Sequence, residues 1–220
     1  MLELNKLYNM DCMQGMKEFP DGFFDLAICD PPYGIKRFMR SDCEADFTAD
    51  ETPSRLRKYG SMETVNRWCP TPEYFKELFR IAKHSIIWGY NHLSDMLPPC
   101  TEFICWYKHQ PVENFSDAEL AWTDFGKVAR VIDLPYFGSI NADSDGRIHP
   151  TQKPVKLYKL ILQRYAKEGF RVLDTHAGSC SSLIACHDMG CDFVGFEINE
   201  ELYKKALDRM QAHFAQLTFF

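Results

Sequence analysis

The sequence predicts an α/β fold, on three observations. Short apolar runs alternate with amphipathic stretches along most of the chain, as when strands interleave with helices. The last third is a regular succession of helix, strand, small-residue turn, helix, strand and helix. The run Phe24 to Cys29 is compact and apolar, broken only by Asp25, as a buried strand requires.

The elements follow in order. Leu4 to Asn9 predicts a short strand. Cys12 to Glu18 predicts a short helix, stopped by Pro20 and the Asp21-Gly22 turn. The strand from Phe24 ends at Asp30-Pro31-Pro32, because proline has no amide hydrogen for a ladder. Gly34 to Pro72 is polar and without periodicity, acidic over Ser41 to Glu51 and basic over Arg55 to Lys58. Loops of this length are usually functional or disordered. Glu73 to Lys83 and Asn91 to Leu97 read as helices, the second ended by Pro98-Pro99. Strands are expected at His84 to Gly89, Glu102 to Lys108, Ala118 to Thr123 and Val128 to Leu134, followed by an exposed loop from Pro135 to His149. Pro154 to Lys167 is a helix with proline in its first turn. Phe170 to Asp174 is a strand, Thr175 to Ser179 a turn, and Ser181 to Met189 a helix stopped by Gly190. Asp192 to Glu197 is a strand. In the helix from Asn199 to Gln216, Asn199 is a suitable N-cap, and Leu202, Ala206, Met210 and Phe214 share one face.

With 220 residues, 45% of them hydrophobic and 25% charged, the chain can bury the core of one domain, residues 1–220. Residues 35–71 form a candidate mobile substrate-binding insertion within it. No apolar run approaches membrane-spanning length and Met1 to Met10 lacks a signal-peptide pattern, so a cytoplasmic protein is expected. The nine cysteines include no CxxC pair and no His cluster at metal-site spacing; reduced, mostly buried thiols and no metal are expected. A net charge of −6 counts against non-specific polyanion binding. It leaves room for a local basic surface.

Two segments carry chemistry. In Val172 to Cys180 a strand feeds a turn of small residues that opens a helix, where backbone approaches a ligand closely and unpaired N–H groups face it. Glu197, about 20 residues beyond the turn, ends the next strand, the usual place for a carboxylate on ribose hydroxyls. An ordinary packing turn reads equally well from the turn alone. The absence of G-x-G-x-x-G counts against a nicotinamide cofactor.

Asp30-Pro31-Pro32-Tyr33 is the second segment. The amino nitrogen of adenine or cytosine is a poor nucleophile, because its lone pair is delocalised into the ring. A carboxylate and a carbonyl, both accepting its hydrogens, favour a pyramidal nitrogen. Two prolines keep the Pro31 carbonyl aimed, and the Tyr33 ring can stack on an extruded base. A simple strand-ending turn is the competing reading.

The neighbouring residues add a resemblance. Asn9-Met10-Asp11-Cys12, Phe19-Pro20-Asp21 and Phe24 to Gly34 closely resemble the opening of amino-directed DNA methyltransferases. His149-Pro150-Thr151-Gln152-Lys153-Pro154 resembles the segment before their cofactor half, Asp174 to Cys180 resembles their cofactor turn, and Asn114 to Trp122 resembles small members. Catalytic motif first and cofactor turn last is the order of the beta class. The resemblance covers most of the chain except Ile35 to Thr71.

It implies a Rossmann-like S-adenosylmethionine-dependent methyltransferase fold, a mixed seven-stranded sheet flanked by helices with permuted motif order. Asp30 and the Pro31 carbonyl would bind the target amino group, with Pro32 stiffening the loop and Tyr33 stacking on the base. Asp11 would face the cofactor's adenine amino group beside Cys12, and Glu197 would hold its ribose. Ala177, Gly178 and Ser179 would line the methionine part, with Asp174 and Asp30 bordering the cofactor and Thr151 and Lys153 near the methionine carboxylate. The family turn reads Asp-Pro-Phe-x-Gly-Ser-Gly, and this chain departs from it at Thr175, His176 and Cys180.

Lys36, Arg37 and Arg40, next to the catalytic loop, are the candidate phosphate contacts. Lys156, Lys159 and Lys167 read as a solvated helix face. The expected activity is site-specific methylation of adenine N6 in DNA, with the base flipped out and a possible homodimer supplying further DNA contacts. Cytosine N4, an RNA base, or a non-catalytic binding subunit are the alternatives.

Overall fold

The computed structural model describes residues 1–34, 69–110, 116–136, 147–149 and 151–217. Its centre is one eight-stranded sheet. Its strands are β1 Lys6–Tyr8, β2 Leu26–Cys29, β3 Ser85–Trp88, β4 Phe103–Tyr107, β5 Ala118–Thr123, β6 Arg130–Asp133, β7 Arg171–Asp174 and β8 Asp192–Phe196. They lie in the order β1-β8-β7-β2-β3-β5-β4-β6. The expected mixed α/β sheet is present, with eight strands in place of seven. The additional strand is β6, which pairs in parallel with β4 from Ile104↔Arg130 to Tyr107↔Asp133 and forms one edge.

The central strands are apolar because both faces are covered. β2 and β3 are buried at every residue. Alternation along β2 divides the core: Leu26 and Ile28 join the apolar cluster on one face, Ala27 and Cys29 that on the other. The first cluster contains helices α4 (Val155–Tyr165), α5 (Ser181–Asp188) and α6 (Glu200–Leu217), through residues such as Leu157, Ile161, Leu183 and Met210. The second contains α1 (Cys12–Met16), α2 (Pro72–Ile81) and α3 (Tyr90–Leu93), through Met16, Phe75, Leu78 and Leu93. β6 is covered on one face only: Ile132 packs against the first cluster, whereas Val131 is 69% exposed.

Local rules set the helix ends. Thr71 caps α2, its side chain accepting from the Tyr74 amide, with Pro72 in the first turn. Asn199 accepts from the Leu202 amide at 2.9 Å, as an N-cap does. Gly190 follows α5 with a positive φ of 66°, where a left-handed residue ends a helix. Five of the six described helices are one to three residues shorter than their sequence periodicity, because end turns fray into caps.

None of the described cysteines forms a disulfide. No described helix is long and apolar enough to cross a membrane. Lys36, Arg37, Arg40 and most of the 35–71 segment lie outside the described residues.

Close packing of α1 on β8 is testable. A Cβ at Gly15 would fall inside the contact distance of the buried Phe196 ring. Gly15→Ala is expected to lower stability by about 1–3 kcal/mol through overpacking, seen as a lower urea midpoint at unchanged m value.

Candidate active site

β2 and β7 are parallel neighbours, with Leu26 opposite Val172 and Ala27 opposite Leu173. Their carboxyl ends therefore open side by side, where ligands bind in open α/β sheets. Asp30-Pro31-Pro32-Tyr33 leaves β2, and the turn 175–180 leaves β7.

Asp30 is held at both carboxylate oxygens. Oδ1 accepts from the Tyr33 hydroxyl. Oδ2 meets the Lys153 ammonium at 2.5 Å. Lys153 is 4% exposed; its Nζ also lies 3.1 Å from Glu119 and 5.0 Å from the centre of the Trp88 ring. Burial opposes the Lys153 charge, but Asp30 and Glu119 together hold its pKa above the ordinary lysine value. Glu119 in turn meets Lys108 at 2.9 Å. Burial pushes the Glu119 carboxyl up, but Lys153 and Lys108 hold it below the usual carboxylate range.

The Tyr33 ring stacks on His92, centroids 5.3 Å apart and planes at 16°. Burial and the Asp30 charge raise its hydroxyl well above the ordinary tyrosine range, so it remains a donor. The floor beneath it is Gly89, at φ +80°, where a Cβ would collide with the Tyr33 ring. His149 is pushed down to about 4 by burial and is neutral; its Nδ1 lies 3.0 Å from the Thr151 hydroxyl.

Across the β2–β7 seam, the turn is tied from three sides. Glu197 Oε2 accepts from the Gly178 amide at 3.1 Å and its Oε1 from the Asn199 amide at 2.8 Å. Burial raises this carboxyl against those two bonds. Arg209 of α6 is 6% exposed and donates to the Ser179 carbonyl at 2.7 Å and the Ser181 hydroxyl at 3.0 Å. Asp174 accepts from the Ser182 hydroxyl and from the His176 amide at 3.0 Å. Cys180 opens α5 in the left-handed conformation, at φ 62°. Its thiol is buried and held well above the ordinary range by burial.

The sequence-derived residues thus fall into two adjoining groups. Asp30, Pro31, Pro32 and Tyr33 gather with Lys153. Asp174, Ala177, Gly178, Ser179 and Glu197 form the turn and its clasp. Asp11 caps α1, Oδ1 accepting from the Met13 amide at 2.8 Å, and Cys12 is buried behind it with its thiol pushed up to about 12 by burial. Thr151 is exposed beside His149.

Glu119, Lys108, Trp88 and His92 were not singled out by sequence. One signal for Glu119 was present. It lies on the same face of β5 as Ala121 and Thr123, both buried, so a carboxylate interrupts a core-facing row. Tyr74 and His176 were also missed; they meet at Thr175, whose hydroxyl lies 2.6 Å from the Tyr74 hydroxyl and 2.9 Å from His176 Nδ1. Burial pushes His176 down to about 4.

Asp174 yields a pH prediction. Burial pushes its carboxyl up to about 7, from an ordinary value of 3.8. Between pH about 4 and 7 the folded chain binds more protons than the unfolded one, so this residue's contribution to stability falls as pH rises through that window. Asp174→Asn is expected to remove the fall, leaving the variant less pH-sensitive than the parent. Urea midpoints from pH 4 to 8 check it, and parallel profiles would sink the idea.

Comparison with known proteins bears on both groups. The chain is 28% identical to the DNA adenine methyltransferase YhdJ of Escherichia coli (strain K12), over 94% of this chain and 83% of that protein. Among solved structures, the M1.HpyAVI–SAM complex superposes with a TM-score of 0.61 at 18% identity, covering 93% of this chain and 98% of that one. The cytosine-N4-specific PvuII DNA methyltransferase gives a TM-score of 0.61 at 14% identity, covering 93% and 85%. Both superpositions concern the fold. The N6/N4-methyltransferase family model, described as DNA methylase, matches residues 74–208, from α2 into α6. With more than half of the chain matched, the protein belongs to the DNA methylase family.

Proposed function

We propose that the protein transfers a methyl group from S-adenosylmethionine to adenine N6 in DNA. The observation carrying this reading is the placement of Asp30 at the end of β2, beside the small-residue turn that follows the parallel neighbour β7.

The turn suits the cofactor. A Cβ on Gly178 would meet nothing nearer than the His176 carbonyl at 3.8 Å, so that side of the turn is open. Ala177, Gly178 and Ser179 are assigned to the methionine part, Glu197 to the ribose and Asp11 to the adenine. When bound, S-adenosylmethionine supplies a methyl group made electrophilic by its sulfonium.

The chain's own residues prepare the nucleophile. Asp30 Oδ1, released by the Tyr33 hydroxyl, and the Pro31 carbonyl accept the two amino hydrogens and favour a pyramidal nitrogen. Tyr33 then stacks on the extruded base. Bound there, S-adenosylmethionine would supply the methyl group, its S–C bond breaking as the N–C bond forms, and the positive charge would pass to nitrogen. The surplus proton leaves nitrogen for Asp30 Oδ1 and from there reaches water.

Adenine is favoured by Asp at the first position of the loop and by the adenine-directed relative. The N4-directed structural neighbour keeps cytosine as a second reading. Lys36, Arg37 and Arg40 are assigned to phosphate contacts, and a homodimer to the remaining DNA surface.

In a methylation-deficient host, the protein is expected to produce N6-methyladenine, detected by nucleoside mass spectrometry; N4-methylcytosine alone would refute the adenine assignment. Asp30→Ala is expected to lower kcat by at least about 10²-fold while calorimetric S-adenosylmethionine binding persists. Glu197→Ala is expected to weaken that binding by about tenfold or more, the loss of a charge-assisted hydrogen bond.

A further inference from the structure

We infer that Glu119 is a positioning residue that sets the acceptor strength of Asp30 by sharing the charge of Lys153. This rests on the proposed role of Asp30 and names a further residue in its control.

Four charged groups form an alternating row across four segments of chain. Asp30 follows β2, Lys153 precedes α4, Glu119 sits in β5 and Lys108 follows β4. The ion-pair distances along the row are 2.5, 3.1 and 2.9 Å. Exposure runs from 4% at Lys153 through 13% at Lys108 and 20% at Asp30 to 31% at Glu119. The row is therefore screened most strongly from water at Lys153, where an unshared charge acts hardest on its neighbour.

A cation on the catalytic carboxylate is a mixed asset. It keeps Asp30 ionised and fixed in direction. It also withdraws the electron density that an amino hydrogen would be offered, since a carboxylate engaged by an ammonium is a weaker acceptor for a second donor. Glu119 offsets the second effect by taking part of the Lys153 charge. Lys108 draws Glu119 the other way. The tyrosine Tyr33 and neutral His149 also face Asp30, and neither supplies a countercharge. Glu119 is thus the carboxylate that shares Lys153 with Asp30, through a backbone position fixed by the pairing of Glu119 with Trp106.

The row makes opposite predictions for the two members beyond Lys153. Glu119→Gln leaves Lys153 wholly on Asp30, and kcat is expected to fall about tenfold while KM for cofactor and for DNA each stay within about twofold. Lys108→Met frees Glu119 to lean on Lys153, and kcat is expected to rise by about twofold or more. The measurements are single-turnover and steady-state methylation of DNA by the full chain, normalised to folded protein from a denaturation curve. A fall in kcat for both variants would mean that the row is only structural and overturn the inference. A higher KM for DNA at unchanged kcat in Glu119→Gln would make Glu119 a DNA contact and overturn it too. Asp30→Ala separates the levels: activity retained there defeats the role of Asp30 itself, whereas activity lost there with a wild-type Glu119→Gln defeats only this inference.

Discussion

The parallel pairing of β2 with β7 is the constraint on which the site depends. It joins residues 26–27 to residues 172–173, about two thirds of the chain's length apart. Each strand alone ends in a turn of no special meaning. Placed side by side, their carboxyl ends bring a carboxylate next to a ligand-sized turn of small residues. Everything else near the centre serves this seam. Buried apolar rows on both faces of β2 hold it flat against its neighbours, and the clasp of Glu197 on Gly178 holds the turn beside it.

The polar groups at the seam are few, and the structure satisfies them in pairs. Asp30 is engaged at both oxygens by Tyr33 and Lys153, Asp174 by Ser182 and the His176 amide, and Glu197 by two backbone amides. Asp174, the buried one of the three, is costly to disturb, because a lost partner leaves the other desolvated and alone. Rigidity here is therefore electrostatic as much as steric. A substrate amino group bound at Asp30 Oδ1 competes there with the Tyr33 hydroxyl.

Much of this was legible in the sequence, for reasons that are local. Short apolar runs located the strands, and in the last helix four-residue spacing found the face that places Ala206 and Met210 in the core. Caps and glycines marked the ends. Asp30 and Glu197 were visible because each terminates a strand beside a turn. What was not legible depends on chain segments meeting. Nothing near Lys153 in the chain announces that its ammonium lies against Asp30 and Glu119. The edge strand Arg130–Asp133 was read as a strand, yet its addition to the sheet beside β4 follows from pairing that no local pattern encodes. Likewise Tyr74 looks like one more apolar contact of α2 until Thr175 is found beside its hydroxyl.

Cys180 carries one more consequence. Its left-handed backbone suits glycine, and a side chain there costs about 1–2 kcal/mol. The cost has a return in entropy. A glycine would let the ligand-free turn wander through many shapes, all of which would have to be surrendered on binding. A buried cysteine, anchored in the core and with its amide bonded to the Ala177 carbonyl at 2.7 Å, narrows that set beforehand. The turn is then strained but preorganised, so less of the binding energy of any ligand is consumed in ordering the protein.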